Sequence, residues 1–146
     1  MTPKELKYHS LYLDIAERVA QMSHAVRAKV GALMVKDGNI LGFGWNGMPG
    51  GMDNTCEHFE NMNLVTNSEV SHAEENLLGK IAKSTVSSEG ATVYITLSPC
   101  IHCAKLLATC GIKKVVFRDQ YRDNDGAEFL SELGIAVIQI GNHETL

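Results

Sequence analysis

Two short stretches constrain this chain more than any other feature: His72-Ala73-Glu74-Glu75 and Pro99-Cys100-Ile101-His102-Cys103. They lie 28 positions apart (100 − 72), so they must meet in space to serve one site. His72, Cys100 and Cys103 are donors of the kind that hold zinc. Three protein ligands leave the fourth position to water, which marks a catalytic rather than a structural site. Glu74, two positions after His72, then stands as the acid/base beside the ion. Any fold for this chain has to bring two helix starts to one point.

The rest of the sequence supplies elements that can do so. From Pro3 to about Met22 the pattern is helical, with Tyr8, Leu11, Tyr12, Ile15 and Val19 as one apolar face. Val30–Val35 and Asn39–Trp45 flank Lys36-Asp37-Gly38, and Asp-Gly between apolar runs predicts an antiparallel hairpin. Asn46 to about Ser71 reads as a long connection carrying several glycines, with a short helix within Cys56–Leu64. His72 to about Lys83 reads as a helix that Ser71 can cap. Ala91–Leu97 is a buried strand. Cys100–Cys110 is a helix opened by Pro99 and closed by Gly111. Lys114–Phe117 is a strand, Asp125–Leu133 a helix and Ile135–Ile140 the last strand. After the hairpin, helix and strand alternate, which predicts parallel pairing through right-handed crossovers. The expected fold is α/β: a three-layer α/β/α sandwich with a five-stranded mixed sheet, in one domain over residues 1–146.

In that arrangement both cysteines and His72 open helices. A helix N-terminus carries partial positive charge and favours the thiolate form of a ligand. Two thiolates and a neutral imidazole cancel the charge of a divalent ion. Glu74, in the first helical turn, can reach past the ion to a water, and needs an apolar pocket to raise its pKa for proton transfer. Glu75 faces elsewhere and reads as a solvated carboxylate. A C-x-x-C by itself also fits a redox pair, half of a structural zinc site or two buried cysteines; the paired motif is what favours catalytic zinc. Cys110 reads as a small core residue, His102 as exposed or beside the ligands, and His9, His24 and His143 as structural or solvent-facing.

Composition narrows the setting. With 45% hydrophobic and 21% charged residues, this is an ordinary globule, and the net charge of −4 without a basic stripe argues against nucleic acid. No apolar run is long enough to span a membrane, and the start lacks a signal-peptide core, so the expected address is cytoplasmic. In that compartment the four cysteines favour metal over disulfides.

The pair H-x-E and P-C-x-x-C is the signature of zinc nucleobase deaminases. From Arg27 through Gly141 the chain resembles deoxycytidylate (dCMP) deaminases of the cytidine deaminase superfamily. The resemblance rests on Val30-Gly31-Ala32, Gly42-Phe43-Gly44-Trp45-Asn46-Gly47-Met48-Pro49, His72-Ala73-Glu74-Glu75-Asn76 and Leu97-Ser98-Pro99-Cys100-Ile101-His102-Cys103-Ala104. The zinc motif alone fits deaminases of several substrates, and G-x-N-G-x-P narrows the match to dCMP. The resemblance implies hydrolysis of dCMP to dUMP and ammonia. It puts the Ala73 N–H near the base O2, a carbonyl near Ser98 against the exocyclic amine, and Asn46 on the sugar 3′-hydroxyl. Arg27, Tyr121 and Arg122 are the candidates for the 5′-phosphate, since a cationic fork suits that group.

It further implies a homohexamer activated by dCTP and inhibited by dTTP, with Mg2+ accompanying the triphosphate. Lys29 and the glycine-rich stretch with Gly42, Gly44, Trp45 and Gly47 are the candidates for that effector site, and Cys56-Glu57 is a further one. Lys80 and Lys83 are candidates for coupling it to the active site. The short gap from Asn46 to His72 argues against a second zinc at Cys56 and His58. Three rival readings remain at this point: a deaminase acting on a base in tRNA or single-stranded DNA, a free-nucleoside deaminase with no need of Arg27, Tyr121 and Arg122, and a zinc-stabilised binding module without activity.

Overall fold

The computed structural model describes residues 1–142, so His143 lies outside the described residues. Helix α1 (Pro3–Ala20) begins at a capping box: Glu5 N–H donates to Thr2 Oγ1 at 3.1 Å, and Thr2 N–H donates to Glu5 Oε2 at 2.7 Å. Strands β1 (Gly31–Lys36) and β2 (Asn39–Trp45) form the expected hairpin. Asp37 and Gly38 both take positive φ (51° and 76°), the turn that Asp-Gly favours.

The remaining elements are β3 (Glu57–Glu60), β4 (Asn63–Thr66), α2 (Ala73–Ala82), β5 (Thr92–Leu97), α3 (Ile101–Thr109), β6 (Lys114–Asp119), α4 (Asp125–Glu132) and β7 (Ala136–Gln139). Five strands form one mixed sheet in the order β2-β1-β5-β6-β7. β1 runs antiparallel to β2 and β5, while β5, β6 and β7 are parallel.

Successive side chains of a strand face opposite sides, and here each side has its own core. Leu33, Val35, Tyr94 and Val116 pack with Tyr12, Leu13 and Ala16 of α1. Ala32, Met34, Val93, Ile95, Val115 and Phe117 pack with Leu77, Leu107 and Leu130 of α2, α3 and α4. The result is the three-layer sandwich with a five-stranded mixed sheet. Among the described residues no helix is long and apolar enough to cross a membrane.

Two local expectations are corrected. First, α1 is rotated from the face read off its periodicity. Tyr8 and Leu11 are 47% and 48% exposed, while His9, Tyr12, Leu13, Ala16, Val19 and Ala20 are buried. The cause is a close approach: a Cβ on Gly31 would lie 2.1 Å from the Ala16 carbonyl oxygen and 2.6 Å from the Ala20 nitrogen. Small residues at this contact turn the helix toward the sheet. Arg118, on β6, ties the same helix down. It is 1% exposed and donates to Asp14 Oδ1 at 2.6 Å and Glu17 Oε1 at 3.0 Å. A guanidinium at that depth requires such partners.

Second, Cys56–Leu64 is no helix. β3 and β4 pair as a separate antiparallel hairpin, turned at Asn61 and Met62, whose φ values are 48° and 68°. Gly42 and Gly44 fall in strand β2, as the expected Asn39–Trp45 strand requires. A Cβ on Gly44 would lie 2.6 Å from the Leu77 nitrogen and 2.8 Å from the Ala73 carbonyl oxygen. Helix α2 therefore rests directly on the β2 backbone.

This contact sets a prediction. Gly44→Ala forces backbone apart and should destabilise the fold by about 1–3 kcal/mol in urea denaturation. Gly42→Ala should cost less, because its nearest neighbour is the movable Ile81 Cδ1 at 3.2 Å. Equal stability of Gly44→Ala and the parent would show that α2 does not depend on this approach.

Candidate active site

His72 is the N-cap of α2 and Cys100 the N-cap of α3, so both helices aim their starts at one point. Cys103 lies in the first turn of α3. His72 Nδ1 is 3.3 Å from Cys103 Sγ and 3.7 Å from Cys100 Sγ, and all three donor atoms lie within 4.8 Å of one another. Bonds of about 2.0–2.3 Å to a tetrahedral zinc place donors about 3.5–4 Å apart, so the set fits that ion. Among the described residues it is the only His/Cys/Asp/Glu group that could hold a metal.

The donor chemistry agrees. Cys103 is buried, and burial, with the Glu74 and Cys100 charges adding, pushes its thiol well up from its ordinary value. A thiolate there needs a cation beside it.

Glu74 is 3% exposed in the first turn of α2. Burial pushes its carboxyl up to about 7, against the lowering effect of hydrogen bonds to its own backbone N–H and to Cys103. A bound cation acts in the opposite direction. Glu75 is not simply solvated: His72 N–H donates to its Oε1 at 2.7 Å. Glu75 thus fixes the helix start that carries His72, and Ser71 is not the cap. The backbone of Ser71 instead bridges Gly47, with N···O distances of 2.9 and 3.1 Å, closing the base of the long connection.

A cleft of about 380 Å³ opens on the cluster. Its lining includes His72, Ala73, Glu74, Ser98 and Cys100, together with Arg27, Asn46, Tyr121 and Arg122. Every residue singled out above for substrate therefore borders one cavity. Asn46 braces a wall: its Oδ1 accepts from Val30 N–H at 2.9 Å and its Nδ2 donates to the Ala28 carbonyl at 2.8 Å. Ser98 Oγ accepts from Tyr121 N–H at 2.7 Å, which fixes the turn after β6. Arg122 lies over the Tyr121 ring, 5.3 Å from its centroid. Arg27 Nη1 donates to Thr66 Oγ1 at 3.0 Å.

Lys29, Gly42, Gly44, Trp45 and Gly47 do not line this cleft. Lys29 is exposed, and Trp45 stacks with Phe43 at 6.2 Å between centroids. Lys80 is no free cation: its Nζ donates to the Phe43 carbonyl at 2.8 Å and sits over both rings. His58 hydrogen-bonds to Asn67 and Glu60, and Cys56 Sγ donates to the Asn54 carbonyl, so these two residues do not form a second cluster. Cys110 is half-buried and His102 exposed. His9 is buried against Tyr94, its Nδ1 2.8 Å from the phenol oxygen.

The sequence reading missed Thr66 at the site and gave Glu57 only an effector role. Glu57 is buried on the cleft wall. Only the alternation of a correctly recognised β3–β4 hairpin could have pointed to the pair. For the metal cluster, we expect one zinc per chain by elemental analysis and loss of that zinc in Cys100→Ser. Full zinc content in a folded Cys100→Ser variant would remove Cys100 from the ligand set.

The comparisons with known proteins meet this geometry. A family model, the cytidine and deoxycytidylate deaminase zinc-binding region, matches residues 6–119. The chain is similar to the deoxycytidylate deaminase of Enterobacteria phage T4, at 33% identity over 90% of this chain and 89% of that one. It is also similar to that of Homo sapiens, at 35% identity over 84% of this chain and 71% of that one. The crystal structure of dCMP deaminase from the cyanophage S-TIM5, in complex with dCMP and dUMP, matches with a TM-score of 0.86 and 42% identity. That match covers 96% of this chain and 99% of the other. With the His72, Cys100 and Cys103 cluster inside the matched segment, this chain belongs to the zinc-binding cytidine and deoxycytidylate deaminase family.

Proposed function

We propose that the protein hydrolyses dCMP to dUMP with release of ammonia. One observation carries this reading: a single cleft is bordered by His72 and Cys100 of the metal-ligand cluster, the buried Glu74 carboxylate and the cationic side chains Arg27 and Arg122. The kinship with deoxycytidylate deaminases supports it.

His72 Nδ1, Cys100 Sγ and Cys103 Sγ would hold zinc, which when bound supplies a Lewis acid that brings the pKa of water toward neutral. Glu74 moves the protons. Burial raises its carboxyl and a cation on His72, Cys100 and Cys103 would lower it again, opposing effects that suit a group that both takes and gives a proton. It takes one proton from the attacking water and delivers it to the cytosine ring nitrogen, then takes the remaining hydroxyl proton at C4 and delivers it to the amine, which departs as ammonia. The low-dielectric wall around Glu74 keeps bulk water from competing in these transfers.

The remaining residues orient the nucleotide. Ala73, first in α2, offers one of the backbone N–H groups that a helix start leaves without an intrahelical partner, suited to the base O2. The backbone near Ser98 receives the exocyclic amine. Asn46 keeps hydrogen-bonding capacity beyond its two braces for the sugar 3′-hydroxyl. Arg27, Tyr121 and Arg122 take the phosphate. Loss of the hydroxyl or the phosphate would forfeit the contacts to Asn46 or to Arg27, Tyr121 and Arg122, which favours the complete nucleotide.

Regulation by dCTP with Mg2+ and by dTTP, in a homohexamer, extends this reading by family resemblance. Lys29, Trp45 and Gly47 are the candidates outside the helix-packing contact that occupies Gly42 and Gly44.

Glu74→Gln should retain zinc and fold while dCMP turnover falls by about 10²–10⁴-fold. Parental turnover in that variant would contradict the proton path. For regulation, dTTP should slow dUMP formation and dCTP with Mg2+ should restore it. A rate indifferent to both removes the effector site.

A further inference from the structure

We propose that the β3–β4 hairpin is a positioning device for Arg27, and that Glu57 and Thr66 thereby set the affinity for a 5′-phosphorylated substrate. This inference rests on the reading of Arg27 as a phosphate ligand.

Glu57 and Thr66 face each other across the hairpin as a cross-strand pair. Each grips a different part of Arg27. Glu57 Oε2 accepts from the backbone N–H of Val26 at 2.8 Å and of Arg27 at 2.9 Å. Thr66 Oγ1 accepts from Arg27 Nη1 at 3.0 Å. One register pair therefore fixes both backbone and side chain of a single residue, and all three border the same cleft.

The chemistry of Glu57 is unusual for a mere loop contact. Its side chain belongs to a residue only 8% exposed, beside a cleft suited to an anion. A buried carboxylate there opposes phosphate binding unless its charge is taken up. Two converging backbone N–H groups take it up through charge-assisted bonds. The opposite flank of the same segment is braced by Asn46, through Ala28 and Val30. Residues 26–30 are thus held from β3 on one side and from the end of β2 on the other.

The energetic consequence concerns order before binding. A free arginine side chain loses rotamer entropy when it is fixed. Thr66 uses one of its five N–H donors and leaves four for a ligand. An arginine already in place binds phosphate without that loss. The hairpin is a two-stranded unit outside the main sheet, and such a unit is marginal alone. Its attachment to residues 26–27 through Glu57 serves both partners. The metal cluster and Glu74 stand on α2 and α3, so a looser Arg27 should raise KM more than it lowers kcat.

The test compares kcat and KM for dCMP in Glu57→Ala, Glu57→Gln, Thr66→Val and Thr66→Ser, each with Arg27 present and with Arg27→Ala. Glu57→Ala should raise KM by about tenfold and Thr66→Val by about threefold, with smaller changes in kcat. Glu57→Gln keeps an acceptor oxygen and should lie closer to the parent. Thr66→Ser keeps its hydroxyl and should match it. Thr66 is exposed, so its variants report even if Glu57→Ala unfolds. In the Arg27→Ala background, neither Glu57→Ala nor Thr66→Val should raise KM further. Full additivity, or a fall in kcat at constant KM, overturns the positioning role. A parental KM in Arg27→Ala overturns it together with the phosphate role of Arg27. A parent inert toward dCMP contradicts the proposed function itself.

Discussion

A buried thiol that cannot carry its charge alone governs this structure. Cys103 sits in the apolar start of α3, where a thiolate is costly. Cys100 and His72 stand within metal-ligand distance of it, and a divalent cation among the three removes that cost. The requirement reaches outward into the fold. α3 must leave the end of β5 with Cys100 at its cap, and α2 must present His72 from beside it on the same face of the sheet. The glycines of β2 let α2 lie low enough to do this. Glu74 is then buried as a consequence of the same packing, and its raised pKa follows from that burial.

Much of this was legible in the sequence because it depends on short-range signals. The zinc motifs, the Asp37-Gly38 turn and the alternation of helices with strands each occupy a few neighbouring residues. They give the sheet, the sandwich and the metal cluster directly. The cleft-lining positions Arg27, Asn46, Ala73, Ser98, Tyr121 and Arg122 became legible through resemblance, not through spacing.

What escaped depends on distant partners. Arg118 reads as an ordinary strand charge until Asp14 and Glu17 arrive from α1, more than 100 positions earlier. The rotation of α1 is set by Gly31, which lies outside the helix. The β3–β4 hairpin turns at Asn61-Met62, a weaker signal than Asn-Gly, so its strands looked helical. Missing that hairpin also hid Thr66 and the true place of Glu57. Glu75 is exposed, as its sequence position suggests, but its bond to the backbone of the residue that opens its own helix escaped in the same way.

The site thus divides into two parts with different supports. In the proposed reading, reaction chemistry stands on the two helices, held by the sheet and its cores, and substrate choice on residues 26–30, the β3–β4 hairpin and the turn after β6, which are tied by individual hydrogen bonds. The most direct measurement of the whole account is ammonia release by the purified protein from dCMP, deoxycytidine, dCTP, and RNA and DNA oligonucleotides. The account predicts that dCMP is turned over with the highest kcat/KM of the panel. Faster release from an oligonucleotide or from deoxycytidine, or no release from dCMP, would contradict it.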